Sequence, residues 1–152
     1  NEIYELANKY DCKIFLPVDI VVSKDFIKNA DHKIVNINEC PSDHMILDIG
    51  EKSIELFKRI ISSSKTILWN GPLGAFETKP FDKGTNALAK YTSLVTMNKE
   101  CVSVAGGGDT VSALNSINVT ADFSYVSSAG GAFLEWLEGK ELPGIKAINL
   151  SK

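Results

Sequence analysis

Val104-Ala105-Gly106-Gly107-Gly108-Asp109-Thr110 is the stretch that decides how this chain is read. An apolar run, Val102-Ser103-Val104-Ala105, stops at three consecutive glycines, and a helix is expected from about residue 110 to 115. A strand that turns into a helix through glycine is the junction of a parallel α/β sheet. Glycines let the backbone approach an anion closely, and the first turn of a helix offers unpaired N–H groups and the positive end of its dipole. Asp109 stands where a carboxylate can hold Mg2+ against phosphates, because that ion is satisfied by a carboxylate, waters and phosphate oxygens. Thr110 can donate to a phosphate or cap the helix. The competing reading, a tight turn closed by an Asp cap, needs one glycine rather than three.

Two further strand ends are glycine-rich. Val126-Ser127-Ser128-Ala129-Gly130-Gly131-Ala132-Phe133 again joins a strand to a helix. With the first junction it suggests two helix N-termini aimed at one polyanion, although close helix–strand packing would also explain it. Trp69-Asn70-Gly71-Pro72-Leu73-Gly74-Ala75-Phe76-Glu77 turns sharply at Asn-Gly-Pro on any reading. Glu77 can accept hydrogen bonds from ribose hydroxyls, and Pro72 and Ala75 offer an apolar wall to a base. Taken by itself, Glu77 reads as a solvated carboxylate. Ligands of open α/β sheets bind beyond the carboxyl ends of the strands, so these three segments are expected on one sheet edge.

The rest of the chain alternates in the same manner. Ile3, Leu6, Ala7 and Tyr10 share one helical face. Residues 13–18 read as a buried parallel strand, and residues 20–23 and 33–37 as two short β segments, compatible with a small hairpin. Residues 45–50 read as a turn or loop. Ser53 can cap a helix to about residue 62, with Ile54, Phe57, Ile60 and Ile61 inward. Residues 66–69 read as a second buried strand. Residues 85–97 read as a helix with Ala87, Leu88, Tyr91, Leu94 and Val95 on one side, residues 123–126 as a fourth strand, and a helix ends near Gly139. Pro143 cannot continue that helix. The fold class is therefore α/β: a Rossmann-like parallel sheet with helices on both faces, without an internal repeat or a linker.

Composition narrows the function. The 152 residues carry 16 Lys plus Arg and 19 Asp plus Glu, a net charge of −3, which suits neither a dedicated nucleic-acid binder nor an anionic-membrane binder. No apolar run approaches membrane-spanning length, and the opening residues lack the pattern of a signal peptide. Cys12, Cys40 and Cys101 are odd in number and widely spaced, which argues for a reducing compartment over disulfides or zinc. His32 and His44 read as solvated surface histidines. Neither G-x-x-x-x-G-K-[ST] nor G-x-G-x-x-G occurs, since Val111 stands where the latter needs glycine. A P-loop is thereby excluded, and a Rossmann oxidoreductase is disfavoured.

Together these segments resemble the phosphoglycerate kinase family. The resemblance is carried by Leu16-Pro17-Val18-Asp19, Leu47-Asp48-Ile49-Gly50, residues 69–77, Gly106-Gly107-Gly108-Asp109-Thr110 and Leu134-Glu135-Trp136-Leu137-Glu138-Gly139-Lys140-Glu141-Leu142-Pro143-Gly144, all in the family's order. It implies that residues 1–152 are part of a carboxy-terminal nucleotide-binding domain, incomplete at its amino-terminal side. Residues 139–152 would form a tail returning toward a separate amino-terminal domain. That domain, which binds phosphoglycerate, has no counterpart in these residues, nor has the lysine-bearing first segment of the nucleotide domain. The implied reaction is Mg2+-dependent phosphoryl transfer between 1,3-bisphosphoglycerate and ADP, giving 3-phosphoglycerate and ATP. By the same resemblance, Glu77 is a ribose ligand, and Asn70, Pro72 and Ala75 line the nucleotide site. Gly107, Gly108, Asp109 and Thr110 form the phosphate and metal loop. Gly108, Gly130 and Gly131 face the transferred group. A monomeric, cytoplasmic enzyme is implied at full length, and the fragment alone is expected to be inactive. Family members usually have a third glycine where Ala129 stands, and an alanine there is tolerable unless the position needs positive φ or close approach of a phosphate. The alternative function is a non-catalytic nucleotide-binding or interaction module built on the same fold.

Overall fold

The computed structural model describes residues 2–150. Two three-stranded sheets organise them. The first is antiparallel, with β1 (Asp19–Ser23) between β2 (Lys33–Asn36) and β3 (Met45–Ile49). The second is parallel, with β5 (Val102–Gly106) between β4 (Thr66–Asn70) and β6 (Tyr125–Ser127). Six helices accompany them: α1 (Glu2–Lys9), α2 (Glu51–Ser63), α3 (Lys83–Met97), α4 (Gly108–Ser116), α5 (Gly130–Leu137) and α6 (Pro143–Leu150). The α/β class and the parallel sheet flanked by helices agree with the sequence reading, the antiparallel pairing of β1 with β2 matches the small hairpin read there, and β3 is an addition to it.

α3 packs on both sheets, touching β3 and β5. Two apolar clusters follow from that placement. One joins Ala89 of α3, Ala105 of β5 and Leu114 of α4 to Val119 and Phe123, with Trp69 edge-on to Phe123 at 6.3 Å between ring centres. The other joins Val21, Ala30, Leu47 and Phe81 beneath the antiparallel sheet. β1 is buried along its whole length because it is the central strand of that sheet.

Several expectations are corrected. Residues 13–18 belong to no strand, and Ile14, Phe15, Leu16 and Val18 are exposed. Their composition is that of a strand, but among the described residues nothing offers them a ladder. Residues 45–49 are strand β3, not a loop. Asp48 made the run look broken, yet its carboxylate is buried and accepts N–H bonds from Ile49 and Gly84, both at 2.8 Å. β4 is an edge strand with alternate residues exposed rather than a buried one. The fourth strand lies at Tyr125–Ser127, because Phe123 turns into the core. On α3 the buried face includes Thr85, Ala89, Thr92 and Ser93, and Leu94 points outward. His32 is exposed as expected, but the His44 side chain is largely buried and paired with Asp43 at 2.7 Å.

Ser53 is not the cap of α2. The first-turn N–H groups of Lys52 and Ser53 donate to the Asp19 carboxylate at 3.0 and 2.7 Å, and the Ser53 hydroxyl donates to it at 2.6 Å. Ser53 Oγ also accepts from the N–H groups of Val18 and Asp19. The cap thus comes from β1, more than thirty residues away in sequence.

These two buried carboxylates respond oppositely to pH. Burial raises the Asp19 pKa, but the Ser53 hydroxyl, the N–H groups of Ser53 and Lys52 and the Lys52 charge outweigh it, so the net direction is down. Asp19 therefore contributes stability above the ordinary carboxylate range and loses it as pH falls. Burial pushes Asp48 up to about 6, with nearby Asp82 adding to the rise and the Gly84 and Ile49 N–H groups opposing it. Its contribution is complete below 3.8 and is lost as pH rises through about 6. That rise corresponds to roughly 3 kcal/mol. Denaturant titrations of the full-length protein between about pH 4 and 7 should show a shallower fall in stability with rising pH for Asp48→Asn than for the parent. Identical slopes would mean that Asp48 does not titrate in this interval.

Candidate functional site

Parallel pairing of β4, β5 and β6 brings their carboxyl ends, Asn70, Gly106 and Ser127, into register on one edge. Three loops leave that edge and are fastened together. Gly107 donates its N–H to the Ser127 carbonyl at 3.0 Å, joining the β5 loop to β6. Gly71 donates to Thr110 Oγ1 at 2.7 Å, joining the β4 loop to α4. The Trp69 indole N–H donates to the Gly71 carbonyl at 2.7 Å and fixes the turn itself.

The two helix N-termini meet through glycine. A Cβ at Gly130 would lie 2.6 Å from Gly107 Cα and 2.8 Å from Gly107 N, so no larger residue fits there. Gly107 has φ +102°, a conformation that glycine adopts without strain. A Cβ at Gly108 or at Gly131 would meet nothing within 4 Å, so the protein leaves both positions open. Ala129, preceding α5, has φ −90°, so its backbone does not require glycine.

The candidate side chains divide into two groups. Asp109 lies in the exposed first turn of α4, and its carboxylate has no hydrogen bond or ion pair among the described residues. Thr110 is buried and does not cap α4, whose cap residue is Gly107. Asn70 stands beside the glycine loop, its Oδ1 being 3.8 Å from where a Gly107 Cβ would be. Glu77 is elsewhere. It is exposed and shares a hollow of about 480 Å³ with Phe26, Ile27, Lys28, Thr78 and Lys79. Ala75 packs against the cluster under the antiparallel sheet and donates its N–H to the Leu47 carbonyl at 2.8 Å, while Pro72 is half-buried. The structure therefore joins Asn70, Gly107, Gly108, Asp109, Thr110, Gly130 and Gly131 in one place. It sets Ala75 and Glu77 on the side of the antiparallel sheet.

Sequence reasoning missed the residues that hold the β4 loop. The Thr85 hydroxyl accepts from the N–H groups of Leu73 and Gly74 at 3.0 and 3.3 Å, and it is buried. Phe26, Lys28 and Lys79 around Glu77 also carried no signal, because they come from segments with neither motif nor periodicity.

One open cradle of backbone N–H groups with a single free carboxylate at its mouth suits a phosphate chain and one hard cation. A family model described as "Phosphoglycerate kinase" matches residues 1–140. The chain belongs to the phosphoglycerate kinase family. It is 53% identical over 146 residues to the phosphoglycerate kinase of Zymomonas mobilis, covering 96% of this chain and 37% of that protein. It is 54% identical over 146 residues to that of Methylorubrum extorquens strain PA1, covering 96% of this chain and 36% of that protein. In structure it resembles the phosphoglycerate kinase of Coxiella burnetii, with a TM-score of 0.89, 39% identity, and coverage of 99% of this chain and 38% of that one. The chain thus spans under two-fifths of the length of these relatives.

Proposed function

We propose that these residues form part of the carboxy-terminal nucleotide-binding domain of a phosphoglycerate kinase. The enzyme would transfer a phosphoryl group reversibly between 1,3-bisphosphoglycerate and ADP, yielding 3-phosphoglycerate and ATP. The observation that carries this reading is the close approach of Gly107 and Gly130, which brings the N-termini of α4 and α5 together beyond the parallel sheet. Unpaired N–H groups of the first turns, among them those of Gly108 and Gly131, would bind phosphate oxygens and neutralise charge on the transferred group. Such chemistry is positioning and electrostatics, without a covalent enzyme intermediate.

Asp109 would hold Mg2+. The described residues contain no group of three or more His, Cys, Asp and Glu arranged to bind a metal. A single free carboxylate beside a phosphate site fits a cation that takes its remaining ligands from phosphate and water. That ion, when bound, would offset the charge of the phosphate oxygens. Glu77, with Phe26 and Ile27 in its hollow, would take the ribose and base, and Asn70, Pro72 and Ala75 would line the path between. Residues 139–150 of the tail would return toward the phosphoglycerate-binding domain, and residues 151–152 lie outside the described residues. No helix among the described residues is long and apolar enough to cross a membrane, and a cytoplasmic monomer is our reading of the full-length enzyme.

Calorimetry on the full-length protein tests the metal role. Asp109→Ala should remove most of the nucleotide affinity that Mg2+ adds, roughly ten- to a hundredfold for a charge-assisted contact. Equal Mg2+ dependence in parent and variant would remove Asp109 from the site.

A further inference from the structure

The loop after β4 has to be held by something, since it carries Ala75 and Glu77 away from the glycine junctions. Asp48 lies beneath it. Asp48 is 2% exposed and is among the residues lining a hollow with Pro17, Ile20, Leu73, Gly74 and Ala75. Oδ2 accepts the Gly84 N–H at 2.8 Å, at the first turn of α3, and Oδ1 accepts the Ile49 N–H at 2.8 Å. A Cβ at Gly74 would lie 2.5 Å from Asp48 Oδ1 and 2.6 Å from the Phe81 carbonyl oxygen. A Cβ at Gly84 would also strike the carboxylate. Both neighbours are thus glycines that let backbone close directly onto Asp48. From the other side, Thr85 accepts the N–H groups of Leu73 and Gly74, and the Ala75 N–H is taken by Leu47, next to Asp48 in β3.

We propose that Asp48 is a positioning residue: it locks residues 73–75 between β3 and the N-terminus of α3, and so sets where Glu77 stands for the nucleotide. A carboxylate does this better than an apolar side chain of equal size. It satisfies a first-turn N–H of α3 and packs against a loop with no side chain at the point of contact. The inference rests on the nucleotide reading given above and adds a residue to it.

Steady-state kinetics of the full-length enzyme with MgATP and 3-phosphoglycerate tests it, using Asp48→Ala, Asp48→Asn and Glu77→Gln. Asp48→Ala should raise KM for MgATP roughly tenfold, the loss expected for an ill-placed charge-assisted contact, and leave KM for 3-phosphoglycerate unchanged. Asp48→Asn keeps the volume and one acceptor, so it should give a smaller rise of the same kind. A purely structural Asp48 would lower the amount of active enzyme without splitting the two KM values, and that result overturns the proposal. If Asp48→Ala does not fold, Asp48→Asn decides, and an unchanged KM for MgATP overturns the proposal. Glu77→Gln separates the two levels. If it weakens MgATP and the Asp48 variants do not, only this inference fails. If Glu77→Gln also has no effect, the assignment of Glu77 to the nucleotide fails with it.

Discussion

Residues 1–152, expressed alone and assayed with 3-phosphoglycerate, ATP and Mg2+, should show no measurable phosphoryl transfer. The chain carries the two glycine junctions, Asp109 and Glu77, but spans 37% of its Zymomonas mobilis relative. Neither a basic site for phosphoglycerate nor the lysine-bearing nucleotide segment is recognisable in it. Without a bound acceptor, the effective molarity of a held substrate pair is forfeited, and this amounts to roughly 7–11 kcal/mol of barrier. A coupled assay on the purified chain checks the expectation. Turnover within about a hundredfold of a full-length enzyme, well inside the loss that positioning alone predicts, would mean that the catalytic groups lie within these residues.

Gly130→Ala should be the most damaging single-methyl change in the site, and Gly131→Ala among the mildest for folding. At 130 the new Cβ meets the backbone of Gly107 at 2.6 and 2.8 Å, and backbone cannot swing aside as a side chain can. Gly107 is itself held by its positive φ and its bond to Ser127. The N-termini of α4 and α5 must then move apart. Overpacking of this kind costs about 1–3 kcal/mol of stability, and displacing a phosphate cradle by about 1 Å can cost a hundredfold in turnover. At 131 the Cβ enters space that the protein leaves empty. Gly131→Ala should keep the parent's melting temperature, and any loss of activity would then come from the methyl group in the path of the phosphates. Paired thermal melts and kcat values for the two variants test this contrast. A Gly130→Ala enzyme as stable and active as the parent would show that the two loops are not packed as described.

What could be read from the sequence was the chemistry written locally. Three glycines followed by Asp109, and the Asn70-Gly71-Pro72 turn, announce strand ends wherever they occur, and parallel pairing did put them on one edge. What could not be read were the roles set by partners distant in sequence. Ser53 looks like a helix cap because serine usually acts on its own helix, but Asp19, arriving from β1, supplies the carboxylate instead. Asp48 interrupts an apolar run and so suggests a loop, whereas a Gly84 N–H makes it compatible with a buried strand. Residues 13–18 have strand composition, but being a strand requires a neighbour, which composition does not reveal. The motif around Ala75 suggests a wall for a base, and it gives no hint that Ala75 also packs against Val21, Ala30, Leu47 and Phe81, which come from distant parts of the chain.

The central claim is that nucleotide phosphates bind where the N-termini of α4 and α5 converge. Backbone amide spectra of the full-length protein, recorded as MgADP is added, test it most directly. The account predicts that the amides of Gly107, Gly108, Asp109, Gly130 and Gly131 move together at one apparent affinity, with Glu77 following them. Unmoved resonances at residues 107–109 and 130–131, with shifts centred instead on the apolar groove lined by Phe57, Ile61, Leu68 and Leu88, would contradict it.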